Sequence, residues 1–137
     1  MYRIALSLCL VAGCGVAAWA QGPYSAIASS KQLMAGSLKP AMDGLATMLK
    51  AGGPKDEKEW AMAESQAAAL AETAQLLLLA NRPLDQDVWL TSSRKLQDAG
   101  VVSMKAAGSK DLAAWKTSLS SMGAACKSCH SVHKKNK

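Results

Sequence analysis

Two cysteines and two histidines lie close together near the C-terminal end of the sequence, within "CKSCHSVH" at residues 126–133. Thiols and imidazoles at this spacing could ligate zinc, form a redox-active dithiol or attach a haem. Cys126, Cys129 and His130 form the pattern C-x-x-C-H, in which each thiol adds to one vinyl group of a haem. The histidine directly after the second cysteine then supplies an imidazole nitrogen to the iron.

The zinc and dithiol interpretations fit this stretch less well. A zinc site would need both cysteines and both histidines from a short run of one helix, whereas structural zinc sites draw ligand pairs from separate elements. A reactive dithiol has its first cysteine at a helix N-terminus, which lowers the thiol pKa, but this pair lies late in a predicted helix. We therefore predict one covalently bound haem c.

Residues 1–20 are predicted to be a secretory signal. An arginine precedes an apolar stretch that is too short to span a bilayer, and "AWA" at 18–20 forms an A-x-A cleavage site. A second interpretation stays open, because "VAGC" at 11–14 resembles the lipobox of bacterial lipoproteins. In that case Cys14 would be lipidated and would anchor the protein. Either route predicts an exported, periplasmic bacterial protein, and haem c is attached outside the cytoplasm.

Residues 21–137 are predicted to form one domain. Cys126 and Cys129 are its only thiols, so a disulfide framework is not expected. The chain has no Phe and few other aromatic residues, which favours helices over a sheet. A net charge of +6 with few arginines is not typical of a nucleic-acid-binding protein. No nucleophile–base pair, carboxylate dyad or phosphate-binding loop is recognisable, so we do not expect an enzyme.

Helix-breaking residues divide this domain into four amphipathic segments. They predict helices over about 25–50 and 55–81, with a kink rather than a stop at Pro40. A third helix is predicted over about 85–107 with Asp85 as its N-cap, and a fourth with Ser109 as its N-cap. Four such helices with short connections predict an all-α, antiparallel four-helix bundle. The last helix has an apolar stripe at alternating spacings of three and four, composed of Leu112, Trp115, Leu119, Met122, Cys126, Cys129 and His133.

The segment "MGAACKSCH" at 122–130 resembles the G-x-x-C-K-x-C-H segment of the class II cytochromes c, which comprise cytochrome c′ and its low-spin relatives. "DVW" at 87–89 is similar to the start of the family's third helix. The resemblance covers residues 21–137. It implies a bundle with haem attached near the C-terminus through Cys126 and Cys129, and His130 as the proximal iron ligand. The chain departs from the family where His133 replaces a usual aromatic residue and where Phe is absent.

The resemblance also bears on the opposite side of the iron, which the first helix covers in class II bundles. "KQLM" at 31–34 is similar to the K-x-L-M segment of the methionine-ligated branch, and this implies Met34 as the distal ligand. Met42 is the second choice. The competing interpretation is that Met34 only fills the core, as methionine often does. His133 cannot be the distal ligand, because it approaches the same side of the porphyrin as His130, and we expect it to pack near the haem edge.

The two interpretations of Met34 predict different functions. A haem with histidine and methionine ligands indicates an electron carrier. A five-coordinate haem would instead bind nitric oxide (NO) or carbon monoxide (CO). An acidic redox partner is predicted from a cluster of lysines around the attachment site. These lysines are Lys127, Lys134, Lys135 and Lys137. The resemblance further implies a possible homodimer, since class II bundles often pair through their first two helices.

Overall fold

A computed structural model of the protein describes residues 26–79 and 82–134. Within these ranges the chain forms four helices and no strand, which confirms the all-α fold class. The helices are α1 (30–50), α2 (Glu57–Leu76), α3 (Val88–Gly108) and α4 (Leu112–His133). None of these described helices is long and apolar enough to cross a membrane. The predicted signal at 1–20 and Cys14 lie outside the described residues.

Helix α1 continues through Pro40, and the expected distortion takes the form of a π-helical turn. The turn spans Met34–Leu38, and the Lys39 amide donates to the Met34 carbonyl, five residues back. Proline has no amide hydrogen, and its ring would crowd the carbonyl of Gly36 in a regular α-helix. The wider turn accommodates this conflict, so the helix continues to Lys50.

Helix α4 begins two residues later than the sequence predicted. Its first turn is capped by Asp111, whose side chain accepts a hydrogen bond from the Ala114 amide at 2.9 Å. The predicted cap, Ser109, instead closes α3, where its hydroxyl donates to the Lys105 carbonyl at 3.0 Å. A carboxylate at the start of the helix also complements the positive end of the helix dipole.

Pairs of contacting residues show that α2 and α3 run in opposite directions. The Trp89 indole Nε1 near the start of α3 donates to the Leu77 carbonyl at the end of α2, at 2.9 Å. Further along, Gly100 lies so close to Ala71 that a Cβ atom on the glycine would be 3.1 Å from the Ala71 amide nitrogen. The pairing therefore moves backward along α2 as it moves forward along α3. Helices α2 and α3 are antiparallel.

Helix α4 returns along the bundle in the same alternating manner. His133 at its end contacts Asp85 and Trp89 near the start of α3. Leu112 at its start packs against Gly53, just after the end of α1. Ser37 near the start of α1 is hydrogen-bonded to Thr73 near the end of α2, which adjoins the start of α3. The start of α1 and the end of α4 therefore lie at the same end of the bundle. These directions agree with the expected antiparallel four-helix arrangement.

The core consists mainly of the residues in the predicted stripes. Trp115, Leu119 and Met122 of α4 are almost completely buried, and the Trp115 ring packs edge-on against Trp60 with centroids 6.1 Å apart. The apolar spacing of α3 groups Val102 with Trp89, Leu96 and Ala99, but Val102 is 51% exposed in the groove between α3 and α4. Leu112, the first residue of the predicted α4 stripe, is also exposed, at 38%. Most of the buried residues of α3 are instead small. These are Ser92, Ser93, Ala99, Gly100, Ser103, Ala106 and Ala107.

Candidate functional site

The predicted attachment residues lie together on one side of the last two turns of α4. Cys126 precedes Cys129 by three residues and His130 by four, and side chains at these separations are neighbours on a helix surface. Cys129 is buried, Cys126 is half-buried and packs against the core, and His130 is exposed. The three predicted site residues therefore lie on the side of α4 where the buried core gives way to the solvent-exposed surface.

Both thiols are free, and the fold favours their protonated form. Burial raises the pKa of the Cys126 thiol above its ordinary value. The pKa of Cys129 is also raised, first by burial and then by the negative charges of Cys126 and Asp85. A dithiol enzyme needs the opposite shift, because its reactive species is the thiolate.

In the described part of the chain, no three His, Cys, Asp or Glu side chains are grouped so that they could hold a metal ion.

The connection between α2 and α3 packs against the end of α4. The Asp85 carboxylate Oδ2 lies 2.6 Å from His133 Nε2, although the ring N–H does not point along this line. The His133 ring also packs edge-on against Trp89, with ring centroids 5.6 Å apart. The side chain of His133 is only 14% exposed, so it belongs to the inner face of α4, as the apolar stripe predicted.

Asp85 also caps α3, although the helix begins at Val88 rather than directly after it. Its Oδ1 accepts hydrogen bonds from the amides of Asp87 at 2.9 Å and Trp89 at 3.0 Å. The Trp89 hydrogen bond is the main reason that the pKa of Asp85 is lowered, and the Asp87 amide and the charge of His133 act in the same direction. The ionised carboxylate is thus the form that joins α3 to α4.

We expect the Asp85→Ala substitution to reduce the free energy of unfolding at neutral pH. Because the folded protein lowers the pKa of Asp85, the ionised group stabilises the fold above its unfolded pKa of about 3.9. This contribution is lost as pH falls through the lower, folded pKa. Chemical denaturation should therefore show a difference between wild type and variant at neutral pH that shrinks below about pH 4.

Asp87→Ala is the matched control, because the Asp87 side chain makes no capping hydrogen bond. It should leave the unfolding midpoint close to that of the wild type. Equal effects of the two substitutions, or an Asp85→Ala effect that is the same in acid, would contradict the proposed role of this carboxylate.

Met34 and Met42, the two candidate distal ligands, are both half-buried and pack against the core. Met34 opens the π-helical turn and lies near the start of α1, at the end of the bundle where α4 ends. Met42 follows eight residues later, which places it about 12 Å further along the helix axis. The π-helical turn is tied to α2 by a 2.7 Å hydrogen bond between the Ser37 and Thr73 hydroxyls.

Space is available beside the attachment residues. Gly123 precedes Cys126 by three residues and His130 by seven, so it lies on the same side of α4. A Cβ atom on Gly123 would meet nothing within 4 Å apart from its chain neighbours and the nearby backbone of α4. Helix α1 packs mainly on α2 and touches α4 only sparsely. Two free thiols, an accessible imidazole and open space along this side form a donor set that fits a haem held by two thioether bonds.

Arg82, in the connection between α2 and α3, has a position that the sequence did not predict. Only 8% of the residue is exposed, and its Nε and Nη1 atoms have no hydrogen-bond partner among the described residues. The sequence placed it between two helix breakers, where an arginine is ordinarily solvated.

Of the predicted lysine cluster, Lys127 and Lys134 are exposed, and the other two lysines lie outside the described residues.

Comparisons of the chain with protein-family models, with curated proteins and with solved structures found no match.

Proposed function

We propose that this protein is an exported c-type cytochrome of class II that carries single electrons through one covalently bound haem c. The observation that carries the proposal is the C-x-x-C-H pattern on the last helix of a helical bundle, with both thiols free. Cys126 and Cys129 would each add S–H across a vinyl double bond, so that a carbon–sulfur bond forms and the hydrogen goes to the other vinyl carbon. When bound, the haem supplies a one-electron redox couple.

His130 and Met34 are the proposed axial ligands. His130 follows Cys129 directly and is exposed beside the open side of α4. Met34 is favoured over Met42 because it lies at the end of the bundle where α4 ends. A histidine and a methionine would fill both axial positions and raise the reduction potential, which suits electron transfer.

A second function is favoured by the packing of Met34 against the core. If this methionine serves only as a core residue, it leaves the distal side of the iron without a protein ligand. The protein would then hold a five-coordinate haem that binds NO or CO, as in cytochrome c′. Both functions use Cys126, Cys129 and His130 in the same way.

The test is an absorption spectrum of the protein matured with the haem c assembly machinery. Oxidised and reduced samples would be measured with and without carbon monoxide. We expect narrow low-spin bands, a methionine-to-iron charge-transfer band in the oxidised form and no response to carbon monoxide. A high-spin spectrum that shifts with carbon monoxide would favour gas binding, and protein without covalently bound haem would overturn both functions.

The exposed lysines near the attachment site are proposed to guide an acidic redox partner to the haem. Changing Lys127 and Lys134 together to Gln should slow bimolecular electron transfer by about tenfold at low ionic strength, because electrostatic steering raises association rates by this order or more. Stopped-flow measurements with an acidic redox protein at several salt concentrations would give the rates. The difference should vanish at high salt.

Lys105 and Lys116 provide a control with the same change of charge. Both are exposed, and they lie at the opposite end of the bundle, near the end of α3 and the start of α4. Their double substitution by Gln should change the rate much less. If both double variants slow the reaction equally, only net charge matters and the docking surface is wrong.

A further inference from the structure

Arg82 is a buried cation without an anionic partner in the described part of the chain. The ion pairs found there involve Lys39, Lys110 and His133, and none of them involves Arg82. Its Nε and Nη1 atoms are shielded from solvent and donate no hydrogen bond to any of the described residues. A guanidinium stays charged in proteins, and burying a charge without a counter-charge is unfavourable. The position of Arg82 therefore calls for an anion.

The segment that carries Arg82 lies against the candidate site. Arg82 precedes Asp85 by three residues, so their Cα atoms are at most about 11 Å apart. Asp85 contacts His133 at 2.6 Å, and its charge raises the pKa of the Cys129 thiol. The connection is held in place at its beginning, where the Arg82 amide donates to the Leu79 carbonyl at 3.1 Å. The backbone of Arg82 is thus at the end of the bundle that carries the proposed attachment residues.

Asp85 carries the carboxylate nearest to Arg82 along the chain, but both of its carboxylate oxygens already have other partners. Its Oδ1 accepts hydrogen bonds from the amides of Asp87 and Trp89, and its Oδ2 faces His133. The anion that suits Arg82 is therefore one that enters the site from outside the polypeptide. A carboxylate fits best, because a guanidinium binds carboxylate oxygens through paired, charge-assisted hydrogen bonds.

We infer that Arg82 binds one of the propionate carboxylates at the edge of the haem. This inference rests on the proposed function, since it requires haem at Cys126 and Cys129. Arg82 would fix the rotation of the haem plane relative to α4 and keep that propionate ionised within the folded protein. It is a binding residue for the cofactor and takes no part in ligating the iron.

The experiment compares holoprotein carrying Arg82→Gln or Arg82→Lys with the wild type. Arg94→Gln is the control, because Arg94 is an exposed arginine on α3. Mass spectrometry of the denatured proteins measures covalent haem. Spectroelectrochemical titration across neutral pH then measures the reduction potential, and resonance Raman spectroscopy records the propionate bending band.

We expect the Arg82→Gln holoprotein to have a lower reduction potential at high pH than the wild type and the Arg94→Gln protein. Loss of the cation destabilises the reduced haem relative to the oxidised form and raises the pKa of the propionate. The potential of the variant should then rise as pH falls through that pKa, a step that the wild type lacks in the same range. If Arg82→Gln is not recovered folded, the propionate band in Arg82→Lys should still shift, because an ammonium cannot reproduce the paired hydrogen bonds.

Two results would overturn the inference, and they can be told apart. Covalent haem in every variant, with potentials and propionate bands that match the wild type, would refute the role of Arg82 and leave the proposed cytochrome function intact. A wild-type protein whose mass includes no haem would refute the proposed function and this inference together.

Discussion

Changing Cys126 and Cys129 together to Ala is expected to abolish the proposed covalent attachment of haem completely. Each thioether bond requires one of these sulfurs, and they are the only cysteines in residues 21–137. Each single variant should retain one thioether bond. The absorption bands of its reduced form should be shifted relative to the wild type, because one vinyl group of the haem remains unsaturated. The mass of the denatured protein and its pyridine haemochrome spectrum measure the attachment directly.

Ser128→Ala is the matched control for the double cysteine variant. Ser128 lies between the two cysteines on the same turn of α4 but is exposed. Its substitution should leave the haem content unchanged. Haem that survives denaturation in the double variant would show that attachment uses another residue and would contradict the proposed site.

Met34→Ala is expected to change the haem from low-spin to high-spin, remove the methionine-to-iron charge-transfer band and allow carbon monoxide to bind. The reduction potential should fall by on the order of 0.1 V or more, since axial ligands shift haem potentials over a range of about 0.8 V. The physical reason is that a neutral thioether sulfur favours ferrous iron, whereas water, which replaces it, does so less. Absorption spectra and redox titration of the holoprotein measure each effect.

Met42→Ala separates ligation from packing. Both methionines are half-buried and contact the core, so each substitution should cost about 1–2 kcal/mol of unfolding free energy, less than for fully buried methionines. Only Met34→Ala should alter the spectrum. If Met42→Ala removes the charge-transfer band and Met34→Ala does not, Met42 is the ligand. If the wild-type protein itself is high-spin and binds carbon monoxide, the gas-binding function replaces electron transfer.

The helical stripes could be predicted because they depend on a fixed local geometry. Residues three and four apart fall on one side of any α-helix, so the positions of Trp115, Leu119 and Met122 in the core followed from spacing alone. The same rule brought Cys126, Cys129 and His130 together on one side of α4. These features require no knowledge of how the helices pack.

Two predictions failed where two residues close together in the sequence could each fill the same structural position. Ser109 and Asp111 are both good capping residues, and the start of α4 depended on which one the connection to α3 placed correctly. Val102 fits the apolar spacing of α3, but it faces the groove beside α4, while Ser103 is fully buried next to it. The reason is that small residues let α3 pack closely on two neighbours, so more than one side of the helix is covered.

The sequence by itself determined the helical class, the apolar stripes and the clustering of the attachment pattern on one helix, because each depends only on residues within a few turns of one another. Only the tertiary structure decided that Arg82 is buried, with no hydrogen-bond partner for its Nε and Nη1 atoms among the described residues, and that Asp85 contacts His133. It also decided that Met34, rather than Met42, shares an end of the bundle with the end of α4. These three results depend on contacts between residues far apart in the chain, which arise only when antiparallel helices and their connections pack together.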